Sequence, residues 1–289
     1  MKSLRAALLR SPHIAWRTVI KFFADNGQFL ASGIAFDLLL YCIPFSLLFI
    51  SALGYALGGD PTQALSVVQD VFRQFLPATH KAFTQNLSTV LDNRGLLGFL
   101  GFALLFLMSS ITFGSIRISL NTVFQVRNPP GFVLGKAKDV LVMLVVTALL
   151  VLMIGLISLL ALAKSFGSRF AILETLLLPG AALASTLLGF VFTFSIFYLL
   201  YRFSPRETLV RPALLVASLT GAGLFEISKA AFIWYVKLLQ SNSELYGSFA
   251  GLAFFLLWIY YACVVLIVGA EVGWILQQEM RSSEAKTQN

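Results

Sequence analysis

Four ionisable side chains lie inside long apolar segments of the sequence, where a charge is costly. They are Asp37, Glu226, Lys229 and Glu271. A charge at the centre of a bilayer costs about 3 kcal/mol or more, and such residues mark ion pathways, proton relays or substrate sites. These side chains, with the helix-kinking Pro44, are therefore the predicted intramembrane polar pathway.

Asp37 and Pro44 lie seven residues apart in the first apolar segment, so both can face the same side of a helix. A proline frees a backbone carbonyl and often marks a kink that lines a cavity. Asp37 has no cation within its own segment. We expect its partner to be Lys229, Arg117 or water, and we expect the pair of residues to face a polar interior.

Glu226 and Lys229 lie three residues apart, a spacing that places both on one helix face. Pairing would lower the cost of burying the two charges. One interpretation is an internal ion pair or a lysine that snorkels to the interface. The other is a site for the headgroup of a substrate.

Glu271 lies between Gly269 and Gly273, near the end of the last apolar segment. Two glycines at this spacing permit a close approach of two helices, so the carboxylate is predicted to point into a tight helix contact. Two interpretations remain open. In the first, Glu271 faces the bundle and is a site for a proton or a cation. In the second, it locks neighbouring helices together by hydrogen bonding.

The sequence gives little support for enzyme chemistry. Its only histidines are His13 and His80, which the predicted topology places on opposite sides of the membrane. Cys42 and Cys263 lack a CxxC partner and are expected to be buried apolar residues. No nucleophile-elbow, zinc-protease or phosphate-binding motif occurs. We therefore expect no cofactor, no metal and no catalytic residue, and we expect that the protein is not an enzyme.

The elements that position these residues follow from composition. Of 289 residues, 58% are hydrophobic and 12% charged, and the mean hydropathy is +0.86. A bilayer-spanning helix needs about 20 mainly apolar residues. The sequence therefore predicts an all-α, polytopic membrane protein, a bundle of six transmembrane helices with amphipathic helices in the N-terminal segment and the outer loop. The six apolar segments are 29–57, 96–116, 140–163, 176–201, 212–239 and 245–276.

Basic residues in the loops predict the orientation. Fourteen of the 21 Lys and Arg residues fall on the side that holds both termini, and six fall on the other. By the positive-inside rule both termini are expected in the cytoplasm, with the net charge of +8 facing anionic lipid rather than nucleic acid. The predicted regions are an amphipathic segment 1–28, a transmembrane domain 29–276 with an outer loop 58–95, and a polar tail 277–289.

Several motifs together resemble the YihY / virulence factor BrkB family. They are 34–44, 120–127, 200–205 and 246–271, and the positions that carry the resemblance include Asn121, Pro205, Tyr246, Gly247, Trp258, Tyr260 and Gly269. The resemblance covers residues 12–276, and Asp37 departs from its pattern. It implies a six-span protein of the bacterial inner membrane, from a family once labelled ribonuclease BN and tied to envelope and virulence biology. No established reaction comes with it.

Three functions follow as hypotheses. The first is a translocator, similar to a flippase, that moves a lipid or another amphiphile of the envelope. The second is a non-catalytic scaffold for envelope assembly, whose partners dock on the outer loop. The third, and the least supported, is a membrane-embedded hydrolase or transferase. The residues do not specify the substrate, the energy source or the oligomeric state.

Overall fold

The chain folds into helices throughout the residues that the structure describes. The computed structural model describes residues 11–56, 94–126, 131–167, 171–240 and 247–288, and no strand occurs in these ranges. The all-α prediction is therefore confirmed. The helices in chain order are α1 Ser11–Ala24, α2 Gly27–Ala56, α3 Arg94–Val123, α4 Phe132–Gly167, α5 Ala171–Phe203, α6 Arg211–Gln240 and α7 Gly247–Gln288.

Helices α2 to α7 coincide with the six predicted apolar segments in the residues that the structure describes. Leu57, the predicted outer-loop helices up to residue 93 and residues 245–246 lie outside the described residues. Within the described residues, four stretches are long and apolar enough to cross a membrane, and α2 adds a shorter apolar stretch, Gly27–Cys42. This architecture is that of a polytopic membrane protein. The four stretches are Gly98–Val123, Thr186–Phe203, Arg211–Tyr235 and Ala253–Ser283.

The helix ends differ from the sequence expectation at one important place. The second apolar segment ends at Ile116, but α3 continues to Val123, so Arg117 lies within the helix and not in the following loop. The short link between α1 and α2 turns at Asn26, which has a φ of 55°. Asparagine tolerates this left-handed conformation, and its carbonyl accepts the amide of Phe29 at 2.8 Å, which starts α2.

The helices divide into two compact units. The first comprises Met1–Leu30, Ile116–Ile227 and Val264–Asn289. Its core is formed by fully buried side chains of α5, α6 and α7, among them Tyr201, Leu214 and Ile267. The hydroxyl of Tyr201 donates a hydrogen bond of 2.8 Å to the carbonyl of Leu266, so this buried phenol is satisfied by the backbone of α7.

The second unit comprises Ala31–Ser115 and Ser228–Cys263. Large apolar side chains of α3 point away from its core, and Phe99, Phe102 and Phe106 are 70%, 59% and 41% exposed. An exposed apolar stripe at this helical spacing would be a liability in water, and it is the expected outer surface of a helix in lipid.

Candidate functional site: a buried lysine between two carboxylates

Helix α1 exposes a group of large apolar side chains and buries Ile14, Thr18, Lys21 and Phe22 on its other face. The exposed apolar residues recur at helical spacing, and they are Trp16, Val19, Ile20 and Phe23. The opposite face is buried and carries Lys21, which is only 9% exposed. This arrangement suits a helix that lies in a membrane interface with its apolar face in lipid, and it leaves the lysine to be satisfied by the protein.

Lys21 is surrounded by groups that attract its ammonium. The side chain forms an ion pair with Asp25 one turn later, and its Nζ lies 2.6 Å from Oε2 of Glu271 on α7. The ammonium also donates a 2.9 Å hydrogen bond to the carbonyl of Val123. It lies 4.4 Å from the centre of the Trp274 ring, within cation–π range. One cation thus ties α1 to the end of α3 and to the interior of α7.

Glu271 is the buried member of this cluster. Its side chain is 0% exposed, whereas those of Lys21 and Asp25 are 10% and 17% exposed. The ammonium approaches Oε2 without hydrogen-bond geometry, and Oε1 has no hydrogen-bond partner in the described structure. Two carboxylates share a single ammonium, so the cluster would hold one negative charge in excess with both carboxylates ionised. A proton or a cation would neutralise that charge, because a buried unpaired carboxylate is costly.

A second ion pair joins α1 to α7 at the rim of the cluster. Nη1 of Arg17 donates a 3.1 Å hydrogen bond to Oε1 of Glu279, and Nδ1 of His13 lies 3.8 Å from the same oxygen. Arg17 and His13 are exposed to solvent, so this contact contributes far less than the buried pair. The rim contact sets the register of α1 along α7, which holds Lys21 opposite Glu271.

The predicted close helix contact at Gly269 is present. A Cβ at this position would overlap the hydroxyl of Tyr201, and it would lie 3.1 Å from the Cα of Gly221 and 3.3 Å from the carbonyl oxygen of Ala217. Helices α6 and α7 therefore meet almost backbone to backbone. A Cβ at Gly273 would lie 2.7 Å from the Cβ of Ala217 in the same contact.

Asp37 lies half-buried in α2. Its carboxylate accepts a hydrogen bond from the hydroxyl of Ser115. Arg117, one of the three partners expected for Asp37, pairs with the buried Asp139, with Nε 2.8 Å from Oδ1. A contact of Asp37 with Lys229 or water stays a prediction. Pro44 lies within α2, seven residues after Asp37 as expected, and it is buried.

Glu226 and Lys229 both lie half-buried in α6. The hydroxyl of Thr193 on α5 lies 3.4 Å from Oε1 of Glu226 and donates to it. The same hydroxyl donates to the carbonyl of Gly189 at 2.9 Å, so it is shared between two acceptors. The pairing of Glu226 with Lys229 remains a prediction.

The motif residues Asn121 and Pro205 meet where α5 leads into α6. The buried Asn121 accepts, through Oδ1, a 2.9 Å hydrogen bond from the backbone amide of Arg206. The carbonyl of Pro205 accepts the ammonium of Lys138 at 3.4 Å. The side chain of Gln277 accepts the amide of Val210 at 2.8 Å, just before α6 begins. The motif therefore satisfies the backbone of a buried turn.

Replacing Asn121 with alanine is expected to destabilise the protein by about 1–3 kcal/mol, because the amide of Arg206 would lose its acceptor in a partly buried place. Thermal unfolding in detergent measures the change. The matched control is Thr122→Ala, since the exposed Thr122 bonds only to the carbonyl of Ile118 in its own helix. Equal unfolding temperatures for the two variants would contradict a structural role for Asn121.

The remaining motif residues lie in α7 or just before it. Trp258 and Tyr260 are half-buried, and the ring of Trp258 lies 5.0 Å from that of Phe232. The rings of Tyr260 and Tyr261 lie 6.0 Å apart. Gly247 is the first residue of α7, and Tyr246 lies outside the described residues. Trp258 of α7 therefore packs against α6.

The described residues do not contain a group of three or more His, Cys, Asp or Glu side chains that could hold a metal. The Lys21 cluster contains two carboxylates and one ammonium. Asp25 is partly exposed and forms the side of the cluster that is open to water. Glu271 is fully buried and forms the side that belongs to the apolar helix α7.

Sequence reasoning missed Lys21 as the partner of Glu271. One signal was present, because Lys21 and Asp25 form an i, i+4 pair of opposite charge in the N-terminal helix. That pattern normally indicates a solvated helix face. Only the structure shows that this face is turned toward α7, with the apolar face turned outward.

The fold and this site define a polytopic helical membrane protein whose last helix buries a carboxylate beside a lysine. Residues 18–289 match the virulence factor BrkB family, and the chain belongs to that family. The matched range contains all the motif residues that carry the resemblance, so the family predicted from them is confirmed.

Several proteins that are similar to this chain bear the name UPF0761 membrane protein. The one from Azotobacter vinelandii is 26% identical, over 89% of this chain and 62% of its own length. One from Aliivibrio fischeri is 25% identical, over 86% of this chain and 78% of its own. One from Chlorobium limicola is 25% identical, over 93% and 60%. The chain thus spans about 60% of the length of two of these relatives. No solved structure matches it significantly.

Proposed function

We propose that this protein is a translocator that moves a lipid or another amphiphile across the bacterial inner membrane, with both termini in the cytoplasm. The observation that carries the proposal is the cluster of Lys21, Asp25 and Glu271. In this cluster two carboxylates, one partly exposed and one fully buried, share a single ammonium. Residues of this kind inside a membrane helix are costly and mark pathways and relays.

The cluster supports a coupled movement in three ways. Asp25 is partly exposed and Glu271 is fully buried, so a proton or a cation that enters from water passes from one to the other. Lys21 lies between the carboxylates and shifts toward whichever of them is ionised. Neutralising Glu271 weakens the only buried ion pair described between α1 and α7, and this change frees α1 to move.

Other intramembrane polar residues fit the same role. Asp37 carries a carboxylate in α2, seven residues before the buried Pro44. Glu226 carries one in α6. In this proposal they line the path of the polar headgroup, while the exposed apolar surface of the helices contacts the acyl chains in the bilayer.

The proposal is tested by reconstituting the purified protein in liposomes that contain a lipid with a fluorescent headgroup. A membrane-impermeant quencher then reports the fraction of probe in the outer leaflet. We expect a larger quenched fraction than in protein-free vesicles and in vesicles holding an unrelated polytopic protein. Quenching that equals both controls, with phosphatidylglycerol and phosphatidylethanolamine probes alike, would contradict translocation of these lipids.

A further inference from the structure

An apolar groove between α4 and α5 ends at two cations. It has a volume of about 70 Å³ and is lined by Leu141, Val142, Val145, Leu199 and Phe203. Val142 is buried and forms its floor, whereas Leu141 is 56% exposed and Phe203 is 47% exposed, so the groove opens to the outside. All five side chains are apolar, which makes the groove a surface for a hydrocarbon chain and not for a polar solute.

The spacing of the residues places a positive charge at one end of this groove. Lys138 precedes Leu141, Val142 and Val145 by three, four and seven residues, so all four lie on one face of α4. Arg202 follows Leu199 by three residues and lies on the corresponding face of α5. The ammonium of Lys138 lies 3.4 Å from the carbonyl of Pro205, just beyond the end of α5, and this contact brings the two cations to the same end.

The depth of the groove relative to the membrane follows from α5. The apolar stretch Thr186–Phe203 ends at the groove residue Phe203. The groove therefore lies at the end of an apolar span, and Arg202 in its last turn and Lys138 lie at the level expected for the headgroups. Asp139, the carboxylate next to Lys138 in the sequence, is buried and engaged with Arg117 at 2.8 Å, so it does not neutralise Lys138. Arg202 is exposed and donates to Thr208 at 2.6 Å, which directs its guanidinium toward the α5–α6 link.

From this arrangement the geometry points to a binding site for an anionic phospholipid. A few methylene groups of one acyl chain lie in the groove, and the phosphate is held between Lys138 and Arg202. An acyl chain matches the exposed apolar walls, and a phosphate matches two cations at the interface. The site is independent of the proposed translocation: it binds a lipid from the surrounding leaflet whether or not the protein moves one.

Photo-crosslinking in vesicles tests the site. The probes are phosphatidylglycerol and phosphatidylcholine that carry the same photoactivatable acyl chain, and mass spectrometry locates the labelled peptides. We expect the anionic probe to label 141–145 and 199–203 more strongly than the zwitterionic probe. In the double variant Lys138→Gln/Arg202→Gln this labelling should fall roughly tenfold or more, because each cation near the headgroups is worth about 1 kcal/mol.

Two further variants separate the groove from general attraction to an anionic surface. Val145→Phe fills the groove without changing charge and should lower labelling of 141–145 by either probe. Arg281→Gln removes an exposed cation of α7 and should leave labelling unchanged. Equal labelling by the two lipids, an unaffected double variant with an unchanged unfolding temperature, or full competition by inorganic phosphate would each overturn the proposal.

Discussion

Replacing Lys21 with methionine is expected to destabilise the protein by about 3–5 kcal/mol, because two buried or partly buried carboxylates would then face each other without their cation. Methionine keeps most of the length and apolar volume of the lysine stem, so the loss is one of charge. The measurement is thermal unfolding of the purified protein in detergent, followed by tryptophan fluorescence. Trp274 lies against the ammonium and is one of the four tryptophans that contribute to the signal.

Two companion variants make this prediction specific. In Lys21→Met/Glu271→Gln the buried carboxylate is also neutralised, and at least half of the lost stability should return. Arg17→Met removes a cation from the same helix, but Arg17 is 42% exposed, so it should cost less than about 1 kcal/mol. If Lys21→Met and Arg17→Met lowered the stability of the protein by the same small amount, the buried cluster would not be what holds α1 in place.

Gly269→Leu is expected to prevent stable folding or to cost about 3 kcal/mol or more through overpacking. Its side chain would have to displace the hydroxyl of Tyr201, which is fully buried and bonded to Leu266, and to push against the backbone of Gly221. A backbone cannot give way as a flexible side chain can. The yield of monodisperse protein and its unfolding temperature measure the effect.

The matched control for this variant is another glycine in the same unit. Gly223 lies in α6, and a Cβ there would meet nothing within 4 Å. Gly223→Ala should therefore be neutral or slightly stabilising, since alanine is the better helix former by about 1 kcal/mol. Comparable damage from Gly223→Ala and Gly269→Leu would mean that the close α6–α7 contact is not what the glycine provides.

The sequence was sufficient for the helices because hydrophobic length alone specifies a membrane span. It also located the tight contact at Gly269, since small residues four apart permit backbones to approach. The end of α3 was placed too early, at Ile116, because the polar side chains that follow resembled a loop. Those side chains are Arg117, Ser119 and Asn121, and in the structure all three are buried or half-buried within the helix.

Partners between distant segments could not be predicted from one sequence. The sequence left Lys229, Arg117 and water open as partners of Asp37, whereas the structure gives Asp37 a serine hydroxyl and gives Arg117 the buried Asp139. Glu271 was recognised as buried, but its partner Lys21 lies at the other end of the chain, in a helix that the charge pattern describes as solvated. The face of α1 that carries Lys21 turns toward α7, because lipid can cover the large apolar side chains on the opposite face.

The most direct test of this account compares Glu271→Gln with Glu279→Gln in the liposome quenching assay, at an acidic and a neutral pH. Both changes neutralise a carboxylate of α7 that faces α1, but only Glu271 lies in the buried cluster with an excess charge. If Glu271 couples translocation to a proton or a cation, Glu271→Gln should reduce probe accessibility to the protein-free level or abolish the pH dependence of that accessibility. Glu279→Gln should behave as the native protein. Native behaviour of Glu271→Gln at both pH values would contradict it.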